Sequence, residues 1–415
     1  MGRGSESAAG GIQSNRAFIL AVGSACAMGC GAVYIWSIFN KPLMALHGFT
    51  TSEVTLAYSL FLIATCLSSM VAGWLQRRFP ARFIVLAAGS LFGLGWLLTG
   101  FADSVPLLYL FFGGFAGLGN GLMYNTIVSV VTRWYPDKKG FANGVCIGAI
   151  GLAPAVFAPI GNVLIELFDV SMAFHLVGVF WLVIYGTLSW FLRLPPSAAP
   201  SEDAKAATVS VDEDVPSLTT KQMLRQPLYY VVFLLFAASS MSGYLITGHA
   251  SNIGQDMAGL TASEGAIMVA VMAVGSFCGR FGFGALSDKV GRYGALGAAL
   301  VLNTVNMLFF IGQAHTFVTF LAAVTLAGAC FGASMSIVPT MVADSFEPAH
   351  FGQNYSLIFP GCTLAGLIGP TFASASFEAQ GSFYFAFMAS DVVSLAGIVL
   401  AVVGALLARR LAKSL

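Results

Sequence analysis

The sequence contains few charged residues. Asp, Glu, Lys and Arg make up 9% of its 415 residues, and 57% of the residues are hydrophobic. A soluble domain carries about a quarter charged residues, so this composition excludes an ordinary soluble protein and indicates an integral membrane protein. The formal net charge is +1, which provides no general attraction to nucleic acid.

Groupings of residues that support catalysis or metal binding are also missing. The apolar stretches hold no grouped His and Glu, no paired carboxylates and no nucleophile beside a base, so we expect neither an enzyme nor a metal or cofactor site. The seven cysteines lie in apolar stretches and lack the spacing of a disulfide framework. A single intramembrane arginine does not form the charged ring of a channel, and the longest loop is short for a receptor domain.

Twelve apolar stretches are long enough to cross a bilayer, which requires about 20 residues per helix. A segment rich in Pro, Ser and acids, residues 194–227, separates six stretches from six and has the composition of a flexible linker. We therefore predict six-helix bundles at 17–193 and 228–408, with termini at 1–16 and 409–415. The predicted spans are 17–39, 53–76, 83–102, 106–131, 141–165, 173–193, 228–250, 264–287, 294–313, 316–341, 353–377 and 383–408.

Basic residues are unevenly distributed between the two ends of the predicted spans. Of the 19 Lys and Arg residues, all except Lys41 and Arg280 fall on the side that carries both termini and the linker. Lys and Arg are retained on the cytoplasmic side during insertion. We therefore expect a multi-pass protein of the plasma (cytoplasmic) membrane, the inner membrane of a bacterial cell, with both termini cytoplasmic.

An internal repeat relates the two halves at an offset of 211 residues (284 minus 73). Paired glycines lie where one helix can approach another closely, which predicts two similarly packed bundles related by pseudo-symmetry. Because the chain has 47 glycines, composition alone also produces some coincidences. The glycine pairs are Gly73 with Gly284, Gly117 with Gly328, and Gly121 with Gly332.

The stretch GALSDKVGR, from Gly284 to Arg292, resembles the GxxxDKxGR loop that the major facilitator superfamily places between its second and third helices and again between its eighth and ninth. We expect Asp288 to cap a neighbouring helix end, and Lys289 and Arg292 to hold the loop in the cytoplasm. The first-half copy, GWLQRRFPAR, has Arg77 in place of the acid. The resemblance covers nearly the whole chain and implies an all-α membrane fold of 12 helices in two pseudo-symmetric six-helix bundles.

Two longer motifs narrow the resemblance. RWYPDKKGFANGVCIGAIGLAP, residues 133–154, resembles both the monocarboxylate transporters and the bacterial oxalate/formate antiporter branch. FGQNYSLIFPGCTLAGLIGP, residues 351–370, is similar to the antiporter branch. Both branches bind the substrate carboxylate with an arginine of helix eight, matched here by Arg280, and the antiporters add a lysine in helix eleven, matched here by Cys362. A lone cation implies a short monocarboxylate such as lactate or pyruvate, because a dianion would leave one carboxylate unpaired.

Arg280 lies in an apolar stretch, where a charge costs about 3 kcal/mol or more on insertion scales. One interpretation is that it snorkels to the nearer membrane surface, roughly 10 Å away at 1.5 Å per residue. The neighbouring Gly279, Gly282 and Gly284 favour the bundle interior instead. A guanidinium offers a carboxylate a planar fork of donors and keeps its charge, which suits substrate binding.

Other residues match substrate-facing positions of the related branches. Each could instead serve ordinary helix packing, because membrane interiors are rich in aromatic residues and methionine. We expect Tyr34 and Tyr124 to offer hydroxyls, Ser276 to share a face with Arg280, and apolar side chains to enclose an alkyl tail. The apolar candidates are Phe331, Met335 and Phe359.

The expected mechanism is proton-coupled symport by alternating access. Moving a lone anion against a negative-inside potential costs about 2.3 kcal/mol per 100 mV, and a proton removes that term. Related animal transporters carry proton-coupling residues where this chain has Ser276 and Ile38. The remaining candidates, His249, Asp256 and Asp391, are expected near the outer ends of helices seven and twelve, where each could instead be a solvated helix-end residue.

Exchange of carboxylate anions, as in the oxalate/formate antiporters, is the alternative function. The expected partners are the monocarboxylate, a proton and the lipid bilayer, and the protein is expected to work as a monomer.

Overall fold

The structure is a computed structural model that describes residues 3–76, 78–135, 139–195, 220–310, 316–346 and 351–414. In those ranges the regular structure is entirely helical. Eleven helices within them are long and apolar enough to cross a membrane. The remaining predicted span, 294–313, overlaps helical residues that are described up to Phe310, and residues 311–315 lie outside the described residues. Arg77 and most of the predicted linker, residues 196–219, also lie outside them.

The described residues of the N-terminal half form eight α-helices. A short 3-10 segment, Gly31–Ile35, joins the first two, and a π-helical segment, Tyr109–Ala116, joins the fifth to the sixth. The helices are α1 (Arg3–Cys30), α2 (Ser37–His47), α3 (Thr51–Leu75), α4 (Ala81–Thr99), α5 (Val105–Leu108), α6 (Gly117–Trp134), α7 (Lys139–Leu167) and α8 (Val170–Leu188).

In the described part of the C-terminal half there are seven α-helices. A π-helical segment, Asn306–Phe310, extends the fourth of them. The helices are α9 (Thr220–Met223), α10 (Pro227–Ala258), α11 (Ala262–Val290), α12 (Arg292–Val305), α13 (Phe317–Ser345), α14 (Phe351–Gln380) and α15 (Tyr384–Ser414).

The helices that cross the fold alternate in direction, so each half has two ends. We call the end that carries both termini and the residues flanking the linker the terminal end. The opposite end, where α2 meets α3 and α10 meets α11, is the distal end. Many large apolar side chains are exposed on the outside, including Val318 at 70% and Val392 at 66%, and such a surface fits contact with lipid.

The first and seventh predicted spans are too short. The first was predicted to end at residue 39, but the structure breaks it at Gly31–Ile35 and continues it to His47. The break coincides with a close approach, because a Cβ on Gly31 would meet the Ile150 carbonyl of α7. The seventh was predicted to end at residue 250, but α10 continues to Ala258 and ends at Gly259, which has φ +63°.

Matching helix starts support the internal repeat. Thr50 and Glu53 form a capping box at the start of α3, in which each residue's side chain accepts from the backbone N–H of the other. Thr261 and Glu264 form the same box at the start of α11, and both residues stand 211 positions later. A capping box satisfies two N–H groups that the first helical turn leaves unpaired, so the two halves begin this helix in the same way.

Two of the three predicted glycine pairs make the predicted close approaches. The first member of each pair lies on α6 against α3, and the second lies on α13 against α11. The partners are themselves 211 residues apart, so the two halves repeat the same helix packing. An added Cβ would meet a carbonyl oxygen in each case: Gly117 that of Phe61, Gly328 that of Met272, Gly121 that of Thr65 and Gly332 that of Ser276.

The third pair does not pack in this way. A Cβ on Gly73 would have nothing within 4 Å, and one on Gly284 would only reach the Ser336 hydroxyl at 4.0 Å. The prediction of a close helix approach at these two positions is wrong. Both lie near the terminal ends of their helices, α3 and α11.

Candidate functional site

A cavity lies between the two halves. The 3-10 segment and α7 contribute its wall from the N-terminal half, and α10, α11 and α13 contribute the rest. The wall is mostly apolar, with one guanidinium and the hydroxyls of Tyr34, Thr247 and Ser276. The lining residues are Tyr34, Gly151, Pro154, Thr247, Ala250, Val269, Met272, Ala273, Ser276, Arg280 and Phe331.

Arg280 is the charged residue of this wall. Its side chain is half-buried, and Nη1 donates to the Ile147 carbonyl of α7 over 2.7 Å. That carbonyl is its only hydrogen-bond partner in the described part of the chain, and the buried Nε has none. Because Nη1 lies on the Cδ side of the guanidinium, the free edge is the pair Nε and Nη2, which can receive a carboxylate through two parallel bonds.

The guanidinium does not snorkel toward the nearer membrane surface. Arg280 belongs to α11, which runs from the distal to the terminal end, and a helical side chain leans toward the N-terminus of its own helix. The guanidinium accordingly reaches from Ile147 to Gly151, one turn nearer the distal end along α7. It therefore points into the bundle and away from the terminal end.

No acidic side chain compensates the charge of Arg280 among the described residues. The ionisable groups nearest to it are neutral phenols, among them those of Tyr34, Tyr124, Tyr244 and Tyr355. An intramembrane charge without a counter-ion is costly and is characteristic of a binding site. The arrangement therefore favours an anion from outside the protein as the missing counter-charge.

The structure brings together four of the predicted site residues at this cavity. Tyr34, Ser276, Arg280 and Phe331 all line it. Four others were expected in the cavity wall but do not line it: Tyr124, Met335, Phe359 and Cys362. The cavity extends from Arg280 toward the distal end, whereas Met335 lies one turn from Phe331 toward the terminal end and Phe359 stacks edge-on against Tyr355.

Cys362 is fully buried on α14. Its sulfur lies 3.2 Å from the hydroxyl of Tyr244 on α10, and either group can donate. Tyr244 in turn packs edge-on against Phe331 of the cavity wall, with ring centroids 5.0 Å apart. Cys362 therefore contacts the cavity wall only through Tyr244.

Several wall residues were missed from the sequence. Gly151, Pro154, Thr247 and Met272 carry no group that distinguishes them from packing residues, and Thr247 also falls in the stretch whose length was underestimated. Gly151 and Pro154 lie in the motif of residues 133–154, so the motif itself was the available signal.

His249 lies at the contact between the two halves, fully buried. Its Nε2 is 3.1 Å from the Pro370 carbonyl and 3.2 Å from the Ser374 hydroxyl, both on α14. The Ser374 hydroxyl donates across the interface to that of Thr55 on α3 over 2.5 Å. The described part of the chain offers no hydrogen-bond partner to Nδ1 of His249. The solvated helix-end interpretation of His249 is therefore wrong, because α10 continues for more than two turns beyond it.

Polar contacts across the halves continue outward from His249 toward the distal end. The Asn40 amide of α2 donates to the Gly248 carbonyl of α10 over 3.1 Å, and Lys41 pairs with Asp256. Glu378 of α14 accepts from the backbone N–H of Ser52, at the start of α3, over 2.7 Å. These contacts join the two halves at the distal end and close the cavity on that side.

The other two proton-coupling candidates lie in different settings. Asp256 is part of the partly exposed pair with Lys41, with 25% of its side chain accessible, so it does occupy a helix end. Asp391 is 3% exposed on α15, and neither of its carboxyl oxygens has a hydrogen-bond partner among the described residues. The solvated interpretation is wrong for Asp391, which does not line the cavity.

The stretch Gly284 to Arg292 is mostly helical and is not an extended loop. Gly284, Asp288 and Lys289 lie within α11, which ends at Val290, and Gly291 with φ +85° turns the chain into α12. Asp288 does not cap a neighbouring helix; it pairs with Arg292, which also donates from Nε to Asp344 of α13 over 2.8 Å. This small network fastens the α11–α12 turn to α13 at the terminal end.

Comparison with known proteins identifies the family. The model of the Major Facilitator Superfamily matches residues 18–370 and 259–414. The chain belongs to the major facilitator superfamily. It is 31% identical to the MFS-type transporter YhjX of Escherichia coli, over 80% of this chain and 81% of that protein.

Other superfamily members extend the comparison. The oxalate:formate antiporter of Oxalobacter formigenes is 28% identical over 86% of this chain and 84% of its own length. Monocarboxylate transporter 12 of Xenopus laevis is 23% identical over 85% and 80%. A bacterial homologue of the human lysosomal transporter Spinster, solved inward-facing and unoccupied, covers 96% of this chain and 97% of its own, with a TM-score of 0.68 and 16% identity.

These matches confirm the fold predicted for a superfamily member: an all-α membrane protein with the major facilitator architecture. They also confirm the relationship to the oxalate/formate antiporter and to the monocarboxylate transporters. As a member of this superfamily, the protein is an integral, multi-pass membrane transporter.

Proposed function

We propose that this transporter carries a short monocarboxylate of the lactate or pyruvate type, with the carboxylate bound by Arg280. The observation that supports this most directly is the unpartnered Nε and Nη2 edge of a guanidinium at a cavity wall. That edge matches the spacing of two carboxylate oxygens. Similarity to carboxylate transporters of two kinds supports the same substrate class.

The charge of the site favours a monoanion. Arg280 is the cation among the residues that line the cavity, and a second carboxylate would be removed from water without a counter-charge, which costs several kcal/mol. The apolar residues Val269, Met272 and Phe331 suit a short alkyl group. The hydroxyls of Tyr34, Thr247 and Ser276 suit the keto or hydroxyl oxygen beside the carboxylate.

The arrangement of the halves supports transport by alternating access. The cavity lies between two similarly packed bundles and is closed by contacts at the distal end, so a rocking motion that breaks those contacts would open it there. We assign the distal end to the outside and the terminal end to the cytoplasm, in the plasma membrane, because the Lys and Arg residues flank the terminal end. One chain contains the complete site, so we propose a functional monomer.

Loosening the distal contacts should expose the cavity. Thr55→Val removes the hydroxyl that bonds Ser374, at a cost of about 1 kcal/mol or more, so the distal-open population should rise about fivefold. The measurement is the labelling rate of Ala250→Cys, in a Cys278→Ser background, by a membrane-impermeant thiol reagent applied from the distal side. Thr187→Val is the matched control, because that hydroxyl bonds only carbonyls of its own helix. Equal labelling in both variants would contradict the role given to Thr55.

Proton coupling is the second part of the proposal. Anion uptake against a negative-inside potential needs a compensating charge, and Arg280 keeps its own proton at all accessible pH. His249 and Asp391 are the buried titratable candidates, and Asp256 is the exposed one. His249 is placed best, because it lies where the halves must separate.

The function is tested by uptake of labelled L-lactate into proteoliposomes, with and without an inward proton gradient. Parallel vesicles are preloaded with oxalate or formate. Uptake that the gradient stimulates severalfold is the expected result. Uptake that occurs only against a preloaded anion would replace symport with exchange, and absence of uptake in every arm would overturn the proposed substrate.

A further inference from the structure

The Arg280 guanidinium belongs to the C-terminal half of the protein, but its hydrogen bond is to the N-terminal half. Arg280 is part of α11 in the C-terminal half, and its only hydrogen bond in the described chain is to Ile147 of α7, in the N-terminal half. This bond occupies Nη1 and leaves the Nε and Nη2 edge free. The orientation of the fork therefore depends on where α7 lies relative to α11.

Gly151 provides the space in which the guanidinium lies. A Cβ at this position would be 2.7 Å from Nη1, 2.9 Å from Cζ and 3.2 Å from Nη2 of Arg280. Three atoms at such similar distances show that the plane of the guanidinium lies flat on the bare backbone of α7. A methyl group there would push the whole fork away, because Nη1 and Cζ would lie closer than real Cβ contacts allow.

The other glycines on this part of α7 have different surroundings. A Cβ on Gly148 would meet the ring of Phe277 at 3.1 Å, which is a contact between two packed helices. A Cβ on Gly144 would have nothing within 4 Å. Of these three glycines, Gly151 is the one beside which a charged group occupies the space that a side chain would take.

We propose that Gly151, together with the Ile147 carbonyl, positions the Arg280 fork for the carboxylate, so that the N-terminal half sets the anion affinity of a cation on the C-terminal half. Gly151 is thus a positioning residue that acts through Arg280. This inference rests on the proposed function. It adds that the anion affinity changes when α7 and α11 move apart, because that movement removes both the carbonyl and the backing surface of the guanidinium.

The first test compares Gly151→Ala with Gly144→Ala in the lactate uptake assay. Gly151→Ala should raise the half-saturating lactate concentration at least tenfold with a maximal rate within about twofold of wild type. Gly144→Ala, the same change on the same helix, should leave both unchanged. A Gly151→Ala variant with wild-type half-saturation would overturn the proposal. Absence of lactate uptake by the wild type would instead count against the proposed function.

A second measurement holds even if Gly151→Ala accumulates poorly. The melting temperature in detergent is compared for Gly151→Ala alone and for Gly151→Ala combined with Arg280→Lys, each against its parent. The methyl group should lower the melting temperature in the arginine background and have little effect with the slimmer lysine, which has no guanidinium plane to displace. An equal loss in both backgrounds would assign Gly151 to helix packing and overturn the proposal.

Discussion

Arg280→Lys is expected to fold and insert but to lose about 100-fold in kcat/KM for monocarboxylate uptake. Lysine keeps the charge but presents one ammonium in place of the planar fork, so it cannot bond Ile147 and both carboxylate oxygens in the same geometry. The loss corresponds to about 3 kcal/mol, in the range for one or two charge-assisted hydrogen bonds. The measurement is initial uptake rate against lactate concentration in proteoliposomes.

Arg225→Lys is the control for this variant. Arg225 is exposed just before α10, so the same substitution there should leave uptake unchanged. Both variants should elute as single species from size-exclusion chromatography in detergent. Wild-type uptake by Arg280→Lys would remove Arg280 from the substrate site.

Cys362→Lys is expected to shift the substrate preference toward dicarboxylates. Cys362 is buried beside Tyr244, directly behind the cavity wall, and a lysine there is long enough to bring an ammonium to the cavity. Two cations would pair the two carboxylates of a dianion, whereas a monoanion would leave one charge unpaired. The ratio of oxalate to lactate uptake should therefore rise at least tenfold.

The comparison for this change is Cys362→Ser, which alters the hydrogen bond to Tyr244 without adding a charge. It should leave the ratio of oxalate to lactate uptake unchanged. The ratio is measured in the same vesicles with the two labelled acids present singly. A Cys362→Lys protein of normal abundance that still excludes oxalate would show that residue 362 does not reach the bound anion.

The positions of the helices could be predicted from the sequence because length and hydropathy decide which segments cross a bilayer. Their ends could not, as the first and seventh spans show. The last turns of α10 contain His249, Asn252 and Asp256, whose polarity suggests that the span has ended. In the fold these turns pack against the other half, so contacts between helices outweigh the local composition.

The repeat shows the same limit in another form. The offset of 211 residues correctly predicted the packing of Gly117 and Gly328, where a helix backbone fills the space beside the glycine. It failed for Gly73 and Gly284, because sequence spacing does not reveal how far apart helices stand near the terminal end. The family loop likewise predicted a capping role for Asp288, whereas Arg292, four residues later, is its nearest partner.

Within the site, a charge in an apolar segment was enough to single out Arg280. Gly151 could not be found in this way, because its role depends on a side chain of the opposite half that arrives only through folding. For His249 the sequence leaves a solvated helix end open as the alternative to proton coupling, because it does not show that α3 and α14 cover this residue. A residue that acts through its contact with a distant helix cannot be recognised from the sequence around it.

The distal contacts have a consequence for the response of transport to ionic strength. Among the described residues, Lys41 with Asp256 is the one ion pair that joins the halves there. The Glu378 carboxylate also carries a charge and accepts at the exposed start of α3, whereas the bonds from Asn40 to Gly248 and from Ser374 to Thr55 are buried and neutral. Salt screens exposed charges over about 10 Å at 0.1 M but has little effect on buried neutral hydrogen bonds. Concentrated salt should therefore weaken the two charged contacts and leave the two buried ones unchanged, so the distal end should open only modestly faster as the ionic strength rises.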